Sequence, residues 1–453
     1  MTRPQILLVN PWIHDFAAYD LWARPMGLLV IGSGLRRLGW DPLFVDCLDT
    51  DHPDAKPARV KPFSQGRFVR TPIQKPLPLA NIARTYSRYG LDPVVIERDL
   101  RSAPRPSAIL VTSLMTYWYP GVREAIGLLR KVFEGVPILL GGIYASLLPN
   151  HALHHCVPHE VLSGPAEAVL AQALYRHTGI NPMPQKKSTK FEFSPTLDLM
   201  RKVRFLPLMT SRGCPLNCSY CASGKIFHFF VRRKVFDVIE EIQAARNRYG
   251  INDIALYDDA FLVDAPRHAL PILDAAGDRL PGMRWHSPNG LHATCIDARV
   301  ASAMKRAGFE TIRIGFESSS DEFHSRTGGK TDRNTFLSAV RNLVEAGFAG
   351  TQIGVYLLVG LPGQTRDQIE DDVDVVLEAG AVPRLAEYSP IPGTEMWPEA
   401  VRNSPYPIET EPLFHNCTLL PAAETEVDWA FLQKTRRQIS EHLVLTPRQH
   451  IDK

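Results

Sequence analysis

The sequence predicts an α/β protein made of two parallel-sheet domains. Three observations carry that reading. Short apolar runs alternate with helical patterns twice along the chain, several helices of the second series end in glycine, and a polar, Pro-containing stretch at 183–204 lies between the two series. At roughly 150 residues per domain, 453 residues suffice for two to three domains.

In the first series Ile6–Asn10 reads as a buried strand, Gly27–Leu38 as a helix ending at Gly39, and Pro42–Asp46 as a second strand. Ala108–Ser113 is a third strand, Gly121–Phe133 a helix, Val136–Leu140 a fourth strand entering Gly141-Gly142, and His159–Ser163 a fifth. This predicts a Rossmann-like domain over residues 1–182. Ligands of such sheets sit beyond the carboxyl ends of the strands. A Pro-rich insertion at about 51–106 interrupts the series; it reads as an irregular surface insertion or as a lid over a ligand.

The second series places strands at Phe205–Thr210, Asp253–Tyr257, Arg284–Ser287, Thr311–Phe316, Gln352–Val359 and Arg384–Tyr388, with helices near 233–249, 265–279, 297–307, 332–346 and 366–379. Gly250, Gly308, Gly347 and Gly380 stand where a helix C-terminus needs a left-handed residue. Six strand–helix units make three-quarters of an eight-unit barrel, a partial (β/α)6 TIM-type core at 205–397. A helical C-terminal extension, 398–453, follows.

Composition narrows the function classes. Lys and Arg number 51 against 48 Asp and Glu, so the overall charge makes no case for nucleic acid. No apolar run reaches the ~18 residues of a membrane span, and the N-terminus reads as a strand with no cleavage site behind it, so the cytoplasm is expected. Seven cysteines are too few and too clumped for a secreted disulfide scaffold. Cys47, Cys156, Cys295 and Cys417 read as small buried hydrophobes.

The remaining three stand in Ser211-Arg212-Gly213-Cys214-Pro215-Leu216-Asn217-Cys218-Ser219-Tyr220-Cys221, after the first strand of the second series. Three thiolates on one tight loop ligate three corners of a cubane iron–sulfur cluster and leave one iron open; a cluster held only by protein takes four. Zinc is the alternative, with His228 completing the set.

With Tyr220 just before the third cysteine, the triad resembles the signature of the radical-SAM superfamily. The resemblance implies that Cys214, Cys218 and Cys221 bind a [4Fe-4S] cluster whose free iron is chelated by S-adenosylmethionine (SAM). It further implies that one electron cleaves SAM to a 5′-deoxyadenosyl radical, which abstracts hydrogen from a substrate. Leu256-Tyr257-Asp258-Asp259-Ala260-Phe261 resembles a second-strand motif whose aspartates lie near the methionine end of SAM or near the substrate, although the usual Gly-Gly-Glu is absent. Ile314-Gly315-Phe316-Glu317-Ser318 resembles the motif that binds SAM ribose and carboxylate, through Glu317 and Ser318. Tyr356 to Gly363, with Gly360 and Leu361, resembles the turn bordering adenine, and Ser389 to Thr394 the closing turn.

The first domain resembles the cobalamin-binding domains fused to such enzymes. Asn10-Pro11, Thr112-Ser113-Leu114 and Leu140-Gly141-Gly142-Ile143-Tyr144 carry the likeness; Thr112, Ser113, Tyr117, Gly141, Gly142 and Tyr144 would border the cofactor. No Asp-x-His-x-x-Gly motif marks a lower cobalt ligand, and His14, His154 and His155 read as ordinary polar residues. Met115 to Tyr119 either packs the core or walls a macrocycle or the interface to the barrel. The leading expectation is a cobalamin-dependent C-methyltransferase or skeleton-modifying enzyme fed by an external donor such as ferredoxin or flavodoxin. The alternatives are a radical-SAM enzyme whose first domain positions substrate without cobalamin, and a non-catalytic iron–sulfur scaffold.

Overall fold

The computed structural model describes residues 3–56, 61–181 and 194–445. Strand β1, Gln5–Asn10, buries Ile6, Leu7, Leu8 and Val9 on both faces, which places it inside a parallel sheet rather than at an edge. It pairs with β2, Asp41–Asp46, on one side and β3, Ala108–Val111, on the other; β4, Ile138–Leu140, and β5, Glu160–Val161, complete the parallel order β2-β1-β3-β4-β5. One face carries a core of Ile6, Leu8, Leu110 and Leu139 against Leu28, Ile31 and Leu35 of helix Met26–Arg37 and Leu170 and Leu174 of helix Leu170–Thr178.

The described part of the insertion is structured. Arg70–Pro72 and Ser87–Tyr89 form an antiparallel sheet with Ile13–Asp15, and helix Pro93–Ser102 follows, capped by Asp92. Residues 57–60 of the insertion and 183–193 of the linker lie outside the described residues. The remainder of the linker packs on the first unit. Thr196 donates its hydroxyl to the Leu29 carbonyl at 2.5 Å, Arg36 grips Asp198 through both nitrogens, and Arg201 and Arg204 pair with Asp49 and Asp51.

The chain divides into two compact units, Met1–Met209 with Glu411–Leu413, and Thr210–Thr410 with Phe414–Lys453. The division falls just after β6, Leu206–Leu208, the first strand of the second sheet. That sheet continues through β7 (Asp253–Leu256), β8 (Arg284–His286), β9 (Phe309–Glu317), β10 (Ile353–Val359) and β11 (Val382–Glu387) in sequential order, with Leu291–His292 beside β9. The ladders from β7 to β11 are all parallel. Asp297, Asp332 and Thr365 cap the helices that begin after them, and Gly250 and Gly308 end theirs in the left-handed conformation. Helix Trp429–Leu445 belongs to the second unit: Phe431 and Leu432 pack with Val359 of β10 and Ile369.

Candidate active site

The cysteine loop is closed at its base by two antiparallel residue pairs, Ser211 with Arg232 and Arg212 with Val231. Gly213 has φ +83°, and a Cβ there would run into the Phe229 carbonyl, so only glycine lets the two sides approach this closely. Cys221 N–H donates to the Cys218 carbonyl at 2.9 Å, closing a tight turn between the last two cysteines. Cys214 and Cys218 are half-buried and Cys221 is exposed. Burial raises the thiol pKa of Cys214 and Cys218. Tyr220 stacks on Phe323, with centroids 6.3 Å apart, and donates its hydroxyl to the Cys218 sulfur.

Asp258 holds the base of this loop. Its carboxylate accepts from the Thr210 and Ser211 backbone N–H groups and from both hydroxyls, at 2.5 to 3.2 Å. An ionised carboxylate only accepts, so Thr210 donates to Asp258 and receives from His268 Nε2 at 2.8 Å. Among the described residues, the hydrogen bonds of this carboxylate all come from Thr210 and Ser211. Asp258 thus positions the start of the cysteine loop. Asp259 instead bonds Ser223 and lies close enough to Cys214 to raise that thiol's pKa further.

Glu317 ends β9 as a buried, non-glycine residue at φ +72°. A bulge between Gly315 and Glu317 folds its carboxylate back over Gly315, where it accepts from Lys330 Nζ at 2.8 Å. A Cβ on Gly315 would lie 2.5 Å from that nitrogen and 2.8 Å from the carboxylate, so the glycine makes room for the ion pair. Burial works against the charge on Lys330, but Glu317 and the Cys218 and Cys221 thiols outweigh it and raise its pKa. Lys330 was not anticipated from sequence; the preceding Gly328-Gly329 was the one available signal, and Gly328 lets the chain pass against the Asn217 carbonyl.

Ser318 and the Gly360-Leu361 turn also make contacts within the fold. Ser318 donates its hydroxyl to Asp372 of helix Arg366–Glu378 at 3.1 Å, which ties the end of β9 to the helix layer. The N–H groups of Gly360 and Leu361 both donate to Gln364 Oε1, so the turn closes on itself.

In the first unit, Ser113 donates to the Gly141 carbonyl at 2.7 Å and accepts from Ala145 N–H. Gly142 stands at φ +99°, and a Cβ there would overlap the Ser113 backbone. The packing of two strand ends thus requires this glycine, independently of any cofactor tail. Tyr144 is fully buried with its hydroxyl on His151, at 2.7 Å, and Tyr117 is buried edge-to-face with Trp118. Thr112 is half-buried and donates its N–H to Val9, while a Cβ on Gly141 would meet only ordinary contacts. Leu114 and Met115, just beyond β3, are 47% and 40% exposed.

Residues 208–376 match the model of the Radical SAM superfamily. The chain carries a radical SAM domain. This family implies a [4Fe-4S] cluster and SAM, and its enzymes need an external electron donor. The donor set suits the cluster: three thiols on one loop, with a buried ammonium beside two of them to offset the charge of the thiolates. The chain is 25% identical over 329 residues to a protein named as an uncharacterized methyltransferase of Pyrococcus horikoshii, covering 66% of this chain and 70% of that one. It is 23% identical to bacteriochlorophyllide d C-12(1)-methyltransferase of Chlorobaculum tepidum, covering 60% of this chain and 61% of that protein. The radical SAM methyltransferase TsrM of Kitasatospora setae, solved with cobalamin and a [4Fe-4S] cluster bound, shares the fold at TM-score 0.65 and 17% identity, over 88% of this chain and 75% of TsrM. OxsB, solved with aqua-cobalamin and SAM, shares it at TM-score 0.58 and 13% identity, over 97% and 62%. No described helix is long and apolar enough to cross a membrane.

Proposed function

We propose that this protein is a cobalamin-dependent radical SAM enzyme of the cytoplasm, most simply a C-methyltransferase, reduced by a ferredoxin or flavodoxin. The observation that carries the radical SAM part is the three-thiol loop closed over the Glu317–Lys330 pair. When bound, the cluster and SAM supply a 5′-deoxyadenosyl radical for hydrogen abstraction, and cobalamin supplies a transferable methyl group. This chain's own residues hold and orient. Cys214, Cys218 and Cys221 would ligate the cluster. Asp258 fixes the loop that carries them, Lys330 offsets thiolate charge, and Glu317 and Asp259 offer carboxylates to the hydroxyls and ammonium of SAM.

The cobalamin part is supported by the exposed Leu114 and Met115 at the carboxyl edge of a parallel sheet, where apolar side chains suit a flat macrocycle. The names of the curated relatives favour methyl transfer as the outcome. A second reading, in which the first unit positions substrate without cobalamin, is favoured by the engagement of Ser113, Gly142 and Tyr144 in the fold's own contacts. Anaerobic reconstitution with iron, sulfide and hydroxocobalamin, followed by gel filtration, separates the two. Corrin absorbance travelling with the protein, and 5′-deoxyadenosine formed after reduction, are the expected results. Cleavage of SAM without retained corrin selects the second reading.

A further inference from the structure

The inward face of the second sheet holds two arginines that the chemistry above does not use. Register places Arg313 of β9 opposite Gly354 of β10, and Tyr356 of β10 opposite Arg384 of β11. Gly354 and Tyr356 are two residues apart on one strand, so all three polar side chains leave the same face. The opposite face is apolar: Ile312, Ile314 and Phe316 are fully buried, and Phe316 stacks on Phe336 of helix Arg333–Glu345.

The Arg313 guanidinium lies across Gly354, where a Cβ would stand 2.7 Å from Nη1 and 3.0 Å from Cζ. It donates to the Ile312 carbonyl at 2.8 Å and to the Tyr356 hydroxyl, which in turn donates to the Pro288 carbonyl at 2.8 Å. Most of its five donors remain unspent. Among the described residues neither Arg313 nor Arg384 has a carboxylate partner, and Arg384 is exposed. Burial, then the neighbouring Arg384 charge, lowers the Arg313 pKa. An arginine stays charged nonetheless, so a half-buried guanidinium beside a like charge lacks its anion.

We propose that Arg313, Arg384 and Tyr356 form a receptor for an oxyanion of the substrate, a carboxylate or a phosphate or phosphonate group. A planar fork with free parallel N–H groups suits such an anion, and a second guanidinium, from β11 on the far side of β10, clamps it. Arg313 precedes Glu317 by four residues on β9, roughly 10–13 Å along a strand. An anion bound there would hold the rest of a small molecule pointing toward Glu317 and the cysteine loop. This inference rests on the radical SAM reading, which makes the barrel interior the substrate's place.

The test uses cluster-reconstituted protein and three probes: phenylphosphonate, 3-phenylpropionate and the neutral 3-phenylpropionamide. Titration calorimetry should show binding of at least one anion and none of the amide. Arg384→Gln should weaken anion binding about tenfold, or ~1.4 kcal/mol, and Arg313→Gln with Arg384→Gln should abolish it. Arg384 is exposed, so its variant carries the test even where Arg313→Gln fails to fold. The stronger of the two anions tells phosphonate from carboxylate. Anion binding absent in the wild type, or unchanged in the double variant, overturns the receptor. So does a parallel loss of SAM affinity in Arg384→Gln, which would assign these arginines to SAM. SAM cleavage to 5′-deoxyadenosine, measured separately, tests the underlying reading and distinguishes its failure from this one.

Discussion

Cys218 combines three influences at one sulfur: partial burial, the Tyr220 hydroxyl and the Lys330 ammonium. Cys218→Ala should abolish cluster loading, read as iron and sulfide per chain, and with it SAM cleavage. Glu317 has a second property besides its carboxylate. A non-glycine residue in the left-handed region costs of the order of 1–3 kcal/mol, and such strain persists where surrounding contacts hold it. Both Glu317→Ala and Glu317→Gly should weaken SAM binding, by about 1–3 kcal/mol in equilibrium dialysis, through loss of a charged hydrogen-bond partner. The two should differ in thermal stability: glycine releases the backbone strain that alanine keeps, so the Gly variant should be the more stable by about 1 kcal/mol. Equal melting temperatures would remove the strain argument.

At the scale of elements, two buried carboxylates fasten loops to the barrel. Asp258 accepts four hydrogen bonds from Thr210 and Ser211, and Asp258→Ala should leave those buried donors unpaired. The expected result is a loss of cluster retention on gel filtration, while the three cysteines stay intact. Asp372 fastens the turn after β9 to helix Arg366–Glu378 through one oxygen, Oδ1, which accepts from Ser318 and Ser319. Burial raises its pKa to about 6 against those hydrogen bonds. A folded-state pKa above the unfolded value of 3.8 makes the folded state bind the proton more tightly, so this group's contribution is full below about pH 4 and is lost as pH rises through 6. Asp372→Asn keeps the accepting oxygen and removes the charge. It should flatten the fall in stability between pH 4 and 7, by up to about 3 kcal/mol for two pKa units, in denaturant melts at each pH. A wild-type-like slope in the variant would rule out this carboxylate as the source.

For the whole molecule, the proposed division of labour gives each unit its own assay. Leu114→Lys places a charge on the exposed apolar edge of the first sheet and touches none of the cysteine loop's fastenings. Corrin retention should fall by about tenfold or more, the penalty of setting an ammonium against an apolar face, with iron content unchanged. Gly142→Val would be uninformative for cobalamin, because its Cβ meets the Ser113 backbone whatever is bound. Equal corrin retention in wild type and Leu114→Lys would move the macrocycle away from this edge.

The strand–helix alternation, the glycine-ended helices and the Cys214–Cys218–Cys221 spacing were legible in the sequence, because each is a local property: periodicity, backbone conformation, loop length. Partnership is not local. Asp258 and Asp259 are neighbours of the same type, yet one is spent on the loop base and the other lies toward Cys214, a difference set by which way each leaves the end of β7. Gly142 was read as a residue bordering a cofactor, and the structure adds a packing reason for the glycine, the Ser113 backbone beside it. Lys330 follows Glu317 by thirteen residues and meets it only because a bulge and Gly315 bring the two side chains over one spot. The sequence by itself determined the two strand–helix series and the spacing of the three cysteines. Tertiary structure alone decided which buried polar groups are already satisfied, as Asp258 and Ser318 are, and which, like Arg313, still have donors to spare, because burial and pairing depend on the neighbours that folding supplies.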